Sequence, residues 1–308
     1  MLQRKKQKVL GILLVLLILM TLSFSTWNFT YASTNDELTN DSYLVSYNLQ
    51  TQEITTRPYP TTNINSRSNI SSTNSYIPEN VMPQSRAITG GNDSRTIVSN
   101  TSVFPHSAIS YLEFTYSDGT LAHGSAFMVH RNYAYTAGHC VLDEDHGFVS
   151  SIRVVPGKNG TTEPFGDTWV TSVEYDSGWA NDFNHDEDWA FLTLSSNIGD
   201  TTGWHGIACS DDYTYFETDS VVLSVLGYPD PNVRLFRQYT GSGPVVRASG
   251  MHLIYNIDTE GGQSGGPVRQ GDYTIGIHTN STSINGTIYN ECSNITRARF
   301  EGFLSKIN

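Results

Sequence analysis

The sequence has little cysteine: Cys140, Cys209 and Cys292 are the three among 308 residues. Three cysteines exclude a fold held together by many disulfides, since at most one intramolecular bridge can form and one thiol is left over. The residues alone do not choose the pair. Their spacing fits no metal site, and we expect neither a metal nor any other cofactor. A domain as large as residues 87–308 can be stable without a disulfide bridge.

Basic residues are also scarce. From Ala87 to the C-terminus there are 11 Lys and Arg against 25 Asp and Glu, a net charge of −14, while the whole chain carries −12. A surface this acidic argues against binding of nucleic acid or anionic membranes. The acidic run 143–145 is better explained as a solvated loop than as a calcium site. We expect a soluble monomer.

Long hydrophobic runs are limited to one, from Val9 to Leu22. A basic head with four Lys or Arg precedes it, and small residues around Ala32 suit cleavage there. The run is short for a membrane-spanning helix, so residues 1–32 are predicted to be a secretory signal peptide. An uncleaved membrane anchor is the alternative. The rest of the chain is therefore expected to be secreted, extracellular and free of the membrane after processing.

Apolar residues are few in residues 33–86. Ser, Thr and Asn make up 25 of these 54 residues, whereas Val, Ile, Leu, Phe and Trp together supply nine. Such a stretch buries little apolar surface against its chain entropy, so we expect little or no independent structure. It ends with prolines and a lone Arg86. This predicts a removable pro-segment, with a disordered spacer as the alternative.

Helical periodicity is rare after Ala87. Short runs rich in β-branched and aromatic residues, separated by Gly, Pro, Asn or Asp, predict an all-β sandwich or barrel. These runs are 108–116, 124–130, 132–137, 151–157, 188–194, 220–229, 252–258 and 273–279. Residues 295–308 alone show helical spacing, which predicts an amphipathic C-terminal helix.

Glycine is concentrated around one hydroxyl, in DTEGGQSGGPV from Asp258 to Val268. Glycines on both sides of Ser264 suit a tight turn that exposes its Oγ and directs backbone N–H groups at a neighbouring oxygen. A Gly-rich hairpin turn without function explains this stretch equally well.

Two further side chains complete a catalytic pattern. His139 follows a strand in YAYTAGHC, and Asp188 enters an apolar strand in NHDEDWAFLTL. Taken alone, each is more typical of a structural turn residue. Together with Ser264 they supply what acyl transfer needs: a hydroxyl, an imidazole to take its proton, and a carboxylate to orient the imidazole.

TAGHC, DWAFL and GGQSGGP, in this order, resemble the chymotrypsin-like serine proteases, and most of residues 87–308 resembles their secreted glutamyl endopeptidase (V8-like) branch. The resemblance implies two six-stranded antiparallel β-barrels in a domain of residues 87–308. The first barrel would span about 87–200 and the second about 201–308, with a boundary near 198–206. The signal peptide and the pro-segment of residues 33–86 would precede them.

The same resemblance assigns roles. Ser264 matches the nucleophile, His139 the general base and then acid, and Asp188 the orienting carboxylate. The backbone N–H groups of Gly262 and Ser264 match the oxyanion hole. Nearby acids at 186 and 187 are alternatives to Asp188. We favour Asp188 because it leads into an apolar strand, whereas the other two resemble solvated loop charges.

Substrate specificity has two interpretations. Thr259 and His278 match the residues that hold an acidic side chain in glutamyl endopeptidases, whereas Asp258 occupies the position of the trypsin-like pocket carboxylate. We favour cleavage after Glu, and less readily after Asp, because His278 would give a charge-assisted bond to a carboxylate. The partners would be proteins or peptides with acidic residues, although the net charge slightly opposes this choice.

The resemblance also implies activation by cleavage. Arg86–Ala87 aligns with the processing bond, so the freed amine of Ala87 would contribute positive charge to the pocket of a zymogen-derived enzyme. Some relatives pair the cysteine after the catalytic histidine with one upstream, where this chain has Gly124. Cys140 is therefore expected to be a buried free thiol unless Cys209 or Cys292 reaches it. A protease-like protein or toxin that binds without cutting is the alternative from another class.

Overall fold

The structure, a computed structural model, describes residues 42–60, 70–79, 94–210, 213–217 and 221–307. The predicted signal peptide and Ala87 lie outside these ranges. The strands are β1 Tyr43–Asn48, β2 Ile54–Pro58, β3 Ile70–Ser72, β4 Thr96–Ile97, β5 Ile109–Tyr116, β6 Leu121–His130, β7 Tyr133–Thr136, β8 Leu142–Asp143, β9 Gly147–Pro156, β10 Thr168–Asp176, β11 Ala190–Leu194, β12 Gly206–Ser210, β13 Val222–Gly227, β14 Tyr239–Ala248, β15 His252–Tyr255, β16 Pro267–Gln270, β17 Tyr273–Ile284 and β18 Thr287–Asn294.

Helices are short except at the C-terminus. They are α1 Ser177–Asp182, α2 Gly199–Thr202, α3 Pro231–Arg234 and α4 Arg297–Ile307, with 3₁₀ turns at His106–Ala108, Gly138–Cys140, His185–Glu187 and Thr214–Glu217. None of the helices in the described ranges combines the length and apolar character needed to cross a membrane.

Six strands form the first barrel, in the order β10, β11, β7, β6, β5 and β9, and the ring closes where β9 pairs with β10. Strand alternation divides the side chains of β5 between two cores. Leu112 and Phe114 point into the barrel core. Ile109 and Tyr111 point into a second cluster, which they share with residues of the other barrel.

The second barrel closes in the same way, in the order β16, β13, β14, β15, β18 and β17, with β16 pairing back to β17. Its core includes Leu223, Val225, Leu253 and Val268, all of them fully buried. Strand β4, which precedes the strands of both barrels, pairs with β14. The chain therefore contacts the second barrel before it forms the first one.

A shared cluster joins the barrels and the C-terminal helix. Phe300 and Phe303 of α4 pack with Tyr135 and Phe191 of the first barrel and with Leu226 of the second. The predicted all-β fold with two six-stranded barrels and a C-terminal helix is confirmed. The three cysteines are buried free thiols.

Residues 43–60 and 70–79, which we call the N-terminal segment, form more structure than their composition predicts. Strand β1 pairs antiparallel with β10, β2 pairs with β1, and β3 pairs with β12. Leu44 and Val45 are only 1% and 2% exposed. The strands form against the barrels, whose edges supply the partners that the segment lacks by itself.

Candidate active site

His139 and Asp188 meet at one edge of the first barrel. Strands β7 and β11 are antiparallel neighbours, with Thr136 opposite Ala190, so the end of β7 lies beside the start of β11. His139 stands in the 3₁₀ turn just after β7, and Asp188 lies just before β11. The local order of the chain therefore brings the two predicted side chains together.

The contact between them is bidentate. The backbone N–H of His139 donates to Asp188 Oδ1 at 2.9 Å, and His139 Nδ1 lies 2.9 Å from Asp188 Oδ2. Asp188 is fully buried, whereas the His139 side chain is 28% exposed. The carboxylate thus fixes both the position of the histidine backbone and the orientation of its ring.

Charge pairing sets the protonation of this couple. Burial by itself would lower the pKa of His139, but the Asp188 carboxylate raises it well above the usual value. Burial would likewise raise the pKa of Asp188, yet the neighbouring His139 brings it below the usual value. The carboxylate therefore stabilises an imidazolium, which a general base must become.

The two neighbouring acids have other partners. Asp186 lies 3.3 Å from His252 and is half exposed. Glu187 pairs with Arg299 at 2.8 Å and is mostly buried, which differs from the solvated loop charge expected for it. Of the three acids in this loop, Asp188 is the one that contacts His139.

Ser264 lies in the glycine-rich loop between β15 and β16. Its Oγ donates to the Thr279 carbonyl oxygen at 3.2 Å, and no hydrogen bond joins it to His139. Bonds between a nucleophile and its base are often formed only when substrate is bound. In a working enzyme, the hydroxyl would turn from Thr279 towards the imidazole.

The glycines of this loop answer a steric requirement. Gly262 has φ +95, and a Cβ there would lie 2.7 Å from the Tyr228 carbonyl oxygen. Gly265 has φ +86, and a Cβ would overlap the Ser125 carbonyl oxygen. Within the described residues the N–H groups of Gly262 and Ser264 donate no hydrogen bond, as an oxyanion hole requires of its donors.

Ser125 links the loop to the first barrel, a role that the sequence analysis missed. Its N–H donates to the Ser264 carbonyl oxygen at 2.8 Å, and its Oγ donates to the Gly262 carbonyl oxygen at 2.9 Å. The Tyr228 N–H in turn donates to the Ser125 Oγ at 2.8 Å. Ser125 lies in the strand-like run 124–130, but a strand serine carries no signal for a contact across the barrels.

Asn280 was missed for the same reason. Its Nδ2 donates to Asp188 Oδ2 at 3.1 Å, from strand β17 of the other barrel. Asp188 therefore accepts three hydrogen bonds, two from His139 and one from Asn280. The amide would hold the carboxylate in the plane that the imidazole needs.

Replacing Asn280 with leucine, which has a similar volume, should lower kcat for peptide hydrolysis about tenfold with little change in KM. A hydrogen bond to a charged group contributes about 1.5–3 kcal/mol, and here it acts on positioning rather than on substrate binding. Steady-state kinetics check this, with serine at position 280 as a variant that keeps a donor. An unchanged kcat in the leucine variant would contradict the assignment.

His278 is buried beside a tyrosine. Its Nδ1 lies 2.8 Å from the Tyr255 hydroxyl and 3.2 Å from the Glu291 carbonyl oxygen. Its Nε2 has no hydrogen-bond partner in the described part of the chain. Burial lowers the pKa of His278 to about 4, so the ring is neutral at neutral pH. Thr259 lies half-buried on the loop before Ser264.

Asp258 is already engaged by the protein itself. Its Oδ2 accepts from both the backbone N–H and the Oγ of Ser94, each at 2.8 Å. Arg95, the residue after Ser94, forms an ion pair with Glu260 at 3.0 Å. The described chain after Ala87 thus begins against the loop that carries Thr259. Within the described ranges no three His, Cys, Asp or Glu side chains are grouped as a metal site would require.

Several known proteins are similar to this chain in sequence. Residues 97–298 match the trypsin family. The chain is 32% identical over 216 residues to a Bacillus subtilis (strain 168) protein named extracellular metalloprotease. It is 32% identical over 221 residues to the glutamyl endopeptidase of Bacillus licheniformis. Both matches cover 68% of this chain but only 66%, just under two thirds, of each relative.

Known structures share the fold. A Glu endopeptidase solved in complex with MPD matches with a TM-score of 0.62 and 28% identity, over 70% of this chain and 97% of that one. The resemblance seen in TAGHC and GGQSGGP is confirmed by these matches. The chain belongs to the trypsin family of chymotrypsin-like serine proteases.

Proposed function

We propose that this peptidase is a secreted serine endopeptidase that cleaves after Glu. The observation that carries the proposal is the bidentate contact of buried Asp188 with His139 beside the Ser264 loop. Residues 1–32 would direct secretion, residues 33–86 would form the pro-segment, and residues 87–308 would form the protease domain. The extracellular name of one relative supports this placement.

Catalysis follows from the positions of these groups. The Ser264 Oγ attacks the scissile carbonyl carbon while His139 takes its proton, and Asp188 stabilises the resulting imidazolium. The N–H groups of Gly262 and Ser264 receive the negative oxygen that forms. His139 then gives the proton to the leaving amine, and water repeats the sequence to release the acyl group from Ser264.

Glu specificity would rest on His278. The Tyr255 hydroxyl donates to the Glu291 carbonyl oxygen at 3.0 Å, so Nδ1 of His278, which faces this hydroxyl and this carbonyl, carries the hydrogen of the neutral ring. Nε2, the nitrogen without a partner among the described residues, would take up a second hydrogen when the carboxylate of a bound substrate raises the pKa of the ring. That N–H can donate to the carboxylate of a substrate, which makes the bond charge-assisted. Thr259 would add a hydroxyl donor to the same carboxylate. His278 exchanges backbone hydrogen bonds with Gly265 and Gly266, the two residues after Ser264, and Thr259 lies on the loop before it.

The trypsin-like alternative is less well supported. A pocket carboxylate that attracts Arg or Lys needs to face the substrate, but the Asp258 carboxylate is exposed and tied to Ser94. The same contact holds Ser94 against the loop that carries Thr259. The amine freed at Ala87 would add positive charge to an acidic-residue pocket, which would make cleavage of the Arg86–Ala87 bond the activating step.

Labelling with a fluorophosphonate tests the catalytic part of the proposal. This reagent modifies a serine only when a neighbouring base activates it. Mass spectrometry should locate the label on Ser264 in the processed protein, and should find none in the His139→Ala variant. A processed protein that stays unlabelled would instead be a binding protein with a protease fold.

A further inference from the structure

The N-terminal segment occupies two separate docking sites, one on strand β10 of the first barrel and one on strand β12, which pairs with strand β17 of the second barrel. At the first site, β1 pairs with β10 from Leu44 opposite Asp176 to Asn48 opposite Ser172. At the second site, β3 pairs with β12, and Tyr76 pairs with Trp204 through two 3.0 Å backbone bonds and stacked rings. The described parts of one segment thus connect both barrels.

At the first site, residues of the segment supply most of the partners of a buried carboxylate. Glu174 of β10 is 5% exposed. It accepts two bonds from Arg57, at 2.8 and 3.0 Å, and one from Ser46 at 3.0 Å. Lys306 of α4, which lies outside the segment, forms an ion pair with Glu174 at 2.9 Å. Removing the segment would leave this carboxylate with one of its partners.

A second buried carboxylate depends on the segment as well. Asp176 is fully buried, and the Tyr59 hydroxyl donates to its Oδ2 at 2.6 Å. Burial and the charge of Glu187 raise the pKa of Asp176. Losing the Tyr59 donor would leave a buried carboxyl oxygen without its partner, which is unfavourable.

The apolar contacts reach the C-terminal helix. Leu44 belongs to the cluster that contains Trp189, Phe300 and Phe303, and its Cδ1 would lie 3.7 Å from a Cβ added to Gly302. The trypsin family match ends at residue 298 and begins at 97. The N-terminal segment therefore lies outside the residues that match the family, and its Leu44 packs on α4.

The second site is shaped for the backbone of the segment. A Cβ at Gly203 would lie 2.5 Å from the Tyr76 carbonyl oxygen. A Cβ at Gly206 would lie 2.5 Å from the Thr73 carbonyl oxygen and 2.9 Å from the Ser75 N–H. Any larger side chain at either glycine would displace the segment, so this surface fits the segment closely.

We propose that the N-terminal segment stays bound after the Arg86–Ala87 bond is cut, so that the active protein consists of two chains held together without a covalent link. This rests on the processing step of the proposed function. Binding at two joined sites makes each rebinding event intramolecular, which slows release. No hydrogen bond or ion pair joins the described residues of the segment to His139, Ser264 or His278.

The test uses the full-length chain with Ser264→Ala and a recognition sequence for an added site-specific protease inserted after Arg86. After complete cleavage, size-exclusion chromatography and mass spectrometry of the peak should find the N-terminal fragment and the barrels together in equal amounts. Elution of the fragment apart from the barrels would overturn the proposal, whether or not the barrels stay folded.

Variants of the segment show whether the docking sites are responsible. Arg57→Ala and Leu44→Asp should speed release of the cut fragment at least about tenfold, because each removes a buried contact. Thr55→Ala, an exposed change in the same hairpin, should behave as the parent, and thermal melting of the uncut chains checks that each variant folds. Equal release from all three would overturn the assignment. Because the added protease makes the cut, a failure to hydrolyse Glu peptides leaves this outcome readable.

Discussion

Asp188→Asn is expected to lower kcat for peptide hydrolysis by about four orders of magnitude. The change keeps the size of the side chain but replaces a carboxylate with an amide. Asp188 Oδ2 lies 2.9 Å from His139 Nδ1 and accepts from Asn280 as well. An amide at this position favours the wrong imidazole tautomer and cannot stabilise the imidazolium.

The pH profile gives a second readout for the same variant. Asp188 raises the pKa of His139 well above its usual value. A base with a raised pKa stays protonated, and therefore inactive, up to a higher pH. The activity of the parent should thus increase as the pH rises above the usual range of the histidine pKa. Removing the carboxylate lowers that pKa, and the acidic limb of the residual activity should move to lower pH.

Asp186→Asn is the matched control, two positions away in the same loop. Asp186 is 49% exposed and faces His252 rather than His139. Its replacement should leave kcat within about twofold, as expected for an exposed ion pair. Similar losses in both variants would contradict the assignment of Asp188 and indicate that the loop acts as a unit.

His278→Leu is expected to lower kcat/KM for Glu peptides about a hundredfold, because a buried carboxylate would lose its charge-assisted partner. Peptides with an apolar residue before the cleaved bond should lose far less. The ratio of kcat/KM between Glu and Leu peptides, measured for parent and variant, isolates the effect on specificity from any general damage.

His146→Leu is the control for this change, because His146 is a half-exposed histidine paired with Asp118. It should leave the Glu to Leu ratio as in the parent. A His278→Leu variant that keeps the parental ratio would exclude this histidine from substrate recognition. The proposed pocket would then have to be sought elsewhere.

Local patterns in the sequence predicted much of the fold and the site. Runs rich in β-branched and aromatic residues marked most barrel strands, and the spacing of Phe300, Phe303, Leu304 and Ile307 predicted α4. His139 and Asp188 could be found because each lies at the end of a recognisable strand. These features depend on residues close together in the chain, so composition and spacing indicate them, whereas the two barrels and the roles of the side chains were implied by the family resemblance.

Contacts between distant parts of the chain could not be predicted in this way. The polar composition of the N-terminal segment indicated little structure, since the strand edges that order it lie more than 100 positions away in β10 and β12. Asn280 reaches Asp188 across 92 positions. Glu187 resembled a solvated loop residue because its partner, Arg299, lies on the C-terminal helix.

Cleavage of four peptides that differ only in the residue before the scissile bond tests the central claim most directly. With Glu, Asp, Arg or Lys at that position, we predict that the processed protein has the highest kcat/KM for Glu, at least about a hundredfold above Arg. Asp should follow Glu. Preferred cleavage after Arg or Lys would contradict the account and assign the specificity to Asp258.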